Sequence, residues 1–226
     1  MHVVLLRYTE QPESICAVAA LGCYSDVPAI EIMLNQEKIE KVLRRTIESG
    51  HHSILEHANF TFAISGVSRA LTHQLVRHRI ASYSQQSQRY VNMTGFEHII
   101  PETIEKADGG KAVKQYEALM NDIREMYHYL VDTCGVPEED ARMVLPNAAC
   151  TNIVVTMNCR ELLHFFRLRM CNRTQWELRE MANIMYTQCF EKAPTIFSYA
   201  GPDCWFDGCK ESKPCGNPPP KGWEPL

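Results

Sequence analysis

The chain has 226 residues, 45% of them hydrophobic and 22% charged, the proportions of a globular protein able to bury its own core. A formal net charge of −4 argues against general electrostatic binding of nucleic acid, so any basic site must be local. No stretch approaches the roughly 20 apolar residues of a membrane span, and the opening run breaks at Arg7 without a secretory pattern. The expected location is cytoplasmic, with no membrane or nucleic acid as partner.

Ten cysteines are many for this length. Cys16, Cys23, Cys134, Cys150, Cys159 and Cys171 fall within regular segments and read as small buried hydrophobes in a reducing compartment. Cys189, Cys204, Cys209 and Cys215 come late. The last three are too irregularly spaced for a paired C-x-x-C zinc ribbon, so no metal is expected.

In chain order, His2 to Leu6 suits a strand, and Pro12 to Leu21 a helix with Ile15, Val18 and Ala19 inward. Asn35 can cap a helix whose apolar face is Ile39, Val42, Leu43 and Ile47, ended by Gly50. His51 to His57 is dense in polar groups but lacks a zinc-protease pattern, and it reads as a hydrogen-bonding corner beside a pocket. Asn59 to Ser65 alternates with Phe60, Phe62 and Ile64 on one face, a half-buried strand. Ser68 can cap a helix reaching about Arg77, with Val67, Leu71 and Leu75 inward.

Arg77 to Tyr90 follows, three cationic or cationisable residues and then a polar run with almost no large aliphatic side chain. Such a run cannot make a core, and it reads as a loop holding an anionic ligand, because arginine offers a rigid fork matched to phosphate oxygens. Val91 to Met93 and His98 to Ile100 could be short strands, and Glu102 to Lys111 a surface excursion. Tyr116 to Leu130 is an amphipathic helix with Leu119 among its apolar positions, and Pro137 starts another. Arg142 would pair with Glu138 or Glu139.

Cys150 to Met157 is of uncertain class. Asn158-Cys159-Arg160 opens a helix on which Arg160, His164 and Arg167 form one polar stripe. Arg169 falls on the apolar side, four beyond Phe165, where an unpaired arginine is costly, so it should meet an anion. Thr174-Gln175-Trp176-Glu177 reads as a capping box for a last helix. The residues alone reach the binding of a phosphorylated, nucleotide-like ligand. No glycine-rich phosphate loop is present, and a nucleic-acid module or a zinc protein remain rival readings.

Arg77-His78-Arg79, seven residues, then Ser87 and Arg89 resembles the signature of the flavin-dependent thymidylate synthases. Gly50-His51, Glu56-His57, Gln74, Ala141-Arg142, Asn158-Cys159-Arg160-Glu161-Leu162 and Leu168-Arg169 are also similar to that family, over about residues 1–202. The resemblance implies an α+β fold with a mixed or antiparallel sheet in a single domain over residues 1–202, and an extension over 203–226. It implies methylation of dUMP to dTMP, with 5,10-methylenetetrahydrofolate giving the carbon and FAD reduced by NADPH giving the hydride. The assembly implied is a homotetramer with shared active sites.

Carried over by the resemblance, His51, Ser53, Glu56, Arg77, His78, Arg79, Asn158, Arg160 and His164 would contact FAD. Gln74, Gln85, Gln86, Ser87, Gln88, Arg89, Arg142 and Arg169 would hold dUMP. Arg169 is the expected catalytic residue, stabilising negative charge that builds on the pyrimidine ring. No cysteine lies in the signature stretch, and Ser87 has no evident base, so it reads as a positioning hydroxyl.

Overall fold

The structure, a computed structural model, describes residues 1–220. In chain order it comprises β1 (His2–Tyr8), α1 (Pro12–Gly22), α2 (Gln36–Glu48), β2 (Asn59–Ser68), α3 (Arg69–Leu75), β3 (Ala81–Gln85), α4 (Glu102–Glu105), α5 (Lys111–His128), α6 (Glu138–Ala141), β4 (Cys150–Asn158), α7 (Cys159–Arg169), α8 (Trp176–Lys192) and α9 (Pro194–Phe197). The strands form one sheet in the order β1-β2-β4-β3, so the class is α+β as expected. β1 and β2 run antiparallel: Thr9 N–H donates to Asn59 O at one end, and Gly66 lies beside Met1 at the other. No described helix is long and apolar enough to cross a membrane.

Backbone contacts divide the chain into two compact units. The first comprises Met1–His2, Ile64–Val76 and Ser84–Ile153; the second comprises Val3–Ala63, Arg77–Tyr83 and the chain from Val154 onward. The first unit packs Met93, Phe96, Met120, Tyr127, Ala141 and Ala149 into one cluster, with the Tyr127 hydroxyl accepting from Met93 N–H. Leu119 does not join this face and stays exposed, while the helix ends in a wider π turn at Tyr129–Thr133. In the second unit α1 packs on α2 and on a 3-10 turn at His52–His57, and α7 packs on that turn and on α8. Phe60, Phe166 and Phe197 meet there edge to face.

The caps at Asn35 and Ser68 form as expected, accepting from Lys38 and Leu71 N–H. α1 differs. Its buried residues are Pro12, Glu13, Cys16, Ala17 and Ala20, while Ile15 is exposed. The reason is Glu13, whose carboxylate turns inward to cap α9, accepting from Thr195 N–H (2.5 Å), Thr195 Oγ1 (3.1 Å) and Ile196 N–H (3.2 Å). Burial, then Glu13, pushes the Cys16 thiol up to about 12, which makes it inert. Cys16 and Cys159 are buried as expected, whereas Cys23 and Cys134 are exposed.

Four further expectations are corrected. The stretch from Arg77 to Tyr90 is not all loop, since Ala81–Gln85 is a strand with Gln86 N–H donating to Asn152 O just beyond it. Val91 to Met93 makes no strand, and near His98 there is a single antiparallel bridge, to Ala149. The capping box does not close. Gln175 takes the cap position and accepts from Leu178 N–H, while Thr174 donates its hydroxyl to Leu168 O. Arg142 bonds the Glu139 carbonyl rather than a carboxylate.

Replacing Glu13 with Ala orphans three donors at the start of α9. We expect a loss on the order of 3 kcal/mol, with Glu13→Gln losing less, measured by chemical denaturation. A change under about 0.5 kcal/mol for Glu13→Ala would show that the cap carries no weight.

Candidate functional site

The expected flavin residues all lie in the second unit, and the expected nucleotide residues, Arg169 apart, all lie in the first. Each group is built separately.

In the second unit a cleft of about 1030 Å³ is lined by Glu56, Arg77, His78, Arg79, Asn158, Arg160 and His164, seven of the nine expected flavin residues. His51 and Ser53 line a second cleft of about 500 Å³ that shares the end of α2. Arg77, His78 and Arg79 are out, in and out in the turn and connecting segment that leave α3. The guanidiniums of Arg77 and Arg79 are exposed and have no hydrogen-bond or ion-pair partner among the described residues. Arg160 is held by Glu56 (2.5 Å) and Arg167 by Asp203 (2.6 Å). Asn158 spends its side-chain oxygen on capping α7, accepting from Glu161 N–H at 2.9 Å, which leaves its amide N–H₂ for a ligand.

His78 is 4% exposed and engaged at both nitrogens. Nδ1 lies 2.9 Å from Glu161 Oε1, and Nε2 accepts from Arg169 Nε at 3.0 Å. A guanidinium only donates, so Nε2 is bare and the proton sits on Nδ1, donated to Glu161. Burial first, then the positive charge of Arg169 and the neighbouring His164, lowers the His78 pKa from 6.5 to about 4. Burial raises the Glu161 carboxyl. Tyr83 donates its hydroxyl to His78 O at 2.8 Å, which fixes the backbone as well. Arg169 is therefore half-buried against a neutral imidazole, not the anion expected from its place on the helix.

His78, Glu161 and His164 bring possible ligand atoms within 4.8 Å of one another. A metal there would have to displace either the Glu161 or the Arg169 contact of His78, so a resident ion does not fit the arrangement.

In the first unit Gln85 donates to Thr72 Oγ1 (2.9 Å), Gln86 accepts from Asn152 (3.4 Å), and Ser87 Oγ accepts from Arg89 N–H (3.1 Å). Gln74 is half-buried on α3. Glu139 gathers two arginines, its carboxylate accepting from Arg89 (2.5 Å) and its carbonyl from Arg142 (3.0 Å). Gln88 Nε2 is buried without a hydrogen-bond partner among the described residues, an orphan donor that a bound ligand would satisfy. Arg69 was not foreseen. Burial, then the like charge of Arg142, lowers its pKa, so two guanidiniums stand close enough to repel. Such a pair favours an anion.

Glu161 as the partner of His78, Glu139 as the partner of Arg89, and Arg69 were missed from sequence. Glu161 stood within the stretch Asn158 to Leu162 that carries the family resemblance, three residues after the capping Asn158, but nothing local pointed to His78 as its partner.

Residues 4–195 match the family described as "Thymidylate synthase complementing protein". The chain is 49% identical over 215 residues to the flavin-dependent thymidylate synthase of Geobacter sulfurreducens, covering 93% of this chain and 91% of that one. It is 44% identical to that of Clostridium tetani over 234 residues (96% and 93%), and 42% identical to that of Pyrococcus furiosus over 222 residues (93% and 90%). The chain belongs to the flavin-dependent thymidylate synthase family. Within this family's chain, Arg77 to Arg79 lies in a cleft and Gln88 to Arg89 beside the Glu139 cluster, both with unspent donors.

The low His78 pKa has a testable sign. An unfolded histidine protonates near 6.5 and the folded one near 4, so between these values the unfolded state binds more protons. Stability from this group is complete above about pH 6.5 and is lost as pH falls toward 4; the raised Glu161 opposes the loss at the acid end. We expect the melting temperature of the native chain to fall between pH 7 and pH 5 more than that of His78→Gln. Equal slopes would contradict the neutral buried imidazole.

Proposed function

We propose that the chain methylates dUMP to dTMP, with 5,10-methylenetetrahydrofolate as carbon donor and FAD, reduced by NADPH, as hydride source. Family membership supports the reaction, and one observation carries the site: two exposed guanidiniums, Arg77 and Arg79, without a partner among the described residues, line a cleft large enough for an extended anionic cofactor. The donor chemistry fits a dinucleotide, because arginine forks match pyrophosphate oxygens and Asn158 and His164 add hydrogen-bonding groups along the wall. When bound, the flavin supplies the redox chemistry.

The chain's own part is binding, orientation and charge. Arg69, Arg89 and Arg142 give a cationic seat for the nucleotide phosphate, and Gln88 offers its spare amide N–H to a ring or sugar oxygen. Arg169 stabilises negative charge on the uracil ring through guanidinium N–H groups not given to His78. Ser87 positions rather than attacks, since its hydroxyl serves the Arg89 turn and no base bonds it among the described residues. A cytoplasmic homotetramer with active sites shared between subunits completes this reading.

Two measurements test it. Arg77→Ala and Arg79→Ala should each weaken flavin binding by roughly 10- to 100-fold, as expected for one lost charge-assisted contact. Retained full flavin content in the double variant would move the cofactor elsewhere. Arg169→Ala should keep its flavin while dTMP formation falls by on the order of 100-fold or more. Unchanged turnover would remove Arg169 from the mechanism.

A further inference from the structure

The tail after α9 is fastened to the turn that follows α7. Arg173 Nη1 donates to Lys213 O, Asn172 Nδ2 donates to Asn217 O at 2.5 Å, and Arg167 pairs with Asp203 at 2.6 Å. Trp205 Nε1 donates to Pro219 O at 2.8 Å, which closes the tail on itself. Three segments, around residues 171–173, 203–205 and 213–217, thus converge, and each carries a cysteine. A fourth, Cys209, lies in the loop between the last two. The thiols of Cys171, Cys209 and Cys215 all lie near enough to Cys204 to act on it electrostatically, adding to the effect of its burial. All four are free, with Cys171 and Cys204 half-buried and Cys209 and Cys215 exposed.

We propose that Cys171, Cys204, Cys209 and Cys215 form a four-thiolate site for a zinc-class divalent ion that locks the tail onto the end of α7. The irregular spacing of the last three cysteines spoke against a zinc ribbon, but a ribbon draws all its ligands from two local pairs. Here the fourth ligand comes from Cys171, more than thirty residues earlier, and the fold delivers it. Four sulfurs around one soft ion is the closed tetrahedral set of a structural zinc site. Among the described residues no three of these sulfurs lie within 4.8 Å of one another, so binding would draw the tail loop inward. Cys215 would give up the hydrogen bond from its thiol to Asn217 O.

The chemistry balances without an oxidant. Four thiols release four protons to solvent and form four Zn–S bonds, which leaves a centre of charge −2. Cations stand on the same segments to offset it: Lys210 beside Cys209, Lys213 before Cys215, and Arg173, which already reaches the tail. The site is separate from the His78, Glu161 and His164 group, and the inference does not depend on the reaction proposed above. It has a consequence for that cleft, because Asp203, Phe206, Asp207 and Lys210 form part of its wall.

The test is the metal content of the full chain, purified under reductant from zinc-supplemented cells without a histidine tag. We expect about one zinc per chain, and thiolate-to-cobalt charge-transfer absorption after exchange with Co²⁺. The variant carrying Cys209→Ser and Cys215→Ser, two exposed positions, should keep its far-ultraviolet dichroism and lose the zinc. Its tail should become more sensitive to protease than that of the zinc-loaded parent. Zinc well below stoichiometry after dialysis against the ion, disulfides among the four thiols in the reduced preparation, or zinc retained by the double variant would each overturn the assignment. A variant that loses zinc together with its dichroism is replaced by Cys215→Ser alone, for which retained stoichiometric zinc again counts against the site.

Discussion

The second unit depends on one hydrogen-bonded chain, Glu161 to His78 to Arg169. Its geometry follows from helix periodicity. Glu161, Phe165 and Arg169 are spaced four apart on α7 and share a face, and His78 lies along that face, with its ring edge-on to Phe165 at 5.0 Å. The cap at Asn158 sets where α7 starts and hence where this face points. A buried imidazole with both nitrogens committed cannot rotate without orphaning a carboxylate and a guanidinium, which is a costly loss in a low-dielectric setting. The same anchoring of His78 sends its two neighbours outward. Burial of the middle residue of Arg-His-Arg therefore orients all three.

This arrangement also explains why Arg169 could be buried without a carboxylate of its own. A direct ion pair would have neutralised the guanidinium. A neutral imidazole fixes the orientation through Nε while leaving the charge uncompensated. Glu161 acts one residue removed, holding the proton on Nδ1 so that Nε2 stays an acceptor. The assignment of roles depends on which nitrogen bears the proton, and the arginine settles it because it has no lone pair to offer.

The sequence made the local features legible and the distant ones illegible. α2, β2, α3 and α7 were readable because their caps and apolar periods lie within a few residues. The inward face of α1 was not, because an acidic residue takes a core position only when a donor-rich helix start 182 residues away needs it. β3 hid within a polar run because an edge strand with two of its five residues exposed and none fully buried needs no aliphatic alternation. The signature residues Arg77 to Arg79 and Ser87 to Arg89 could be located, but their partners Glu161 and Glu139 could not, since pairing across 83 and 50 residues is a property of the fold.

The charge balance of the cleft brings the tail into the same argument. Its cations are Arg77, Arg79, Arg160, Arg167 and Lys210, and its acids include Glu56, Asp203 and Asp207. Arg160 is offset by Glu56, Arg167 by Asp203, and Lys210 lies 3.7 and 3.8 Å from Asp203 and Asp207. Of the cations lining the cleft, only Arg77 and Arg79 remain uncompensated among the described residues, so the positive potential of its wall is concentrated at the start of the signature stretch. The tail therefore shapes the site by subtraction. Asp203 and Asp207 cancel the charge of Arg167 and Lys210, and in a chain of net charge −4 the basic character stays local. Whatever holds residues 203–210 in position then also sets where the positive potential of the cleft lies.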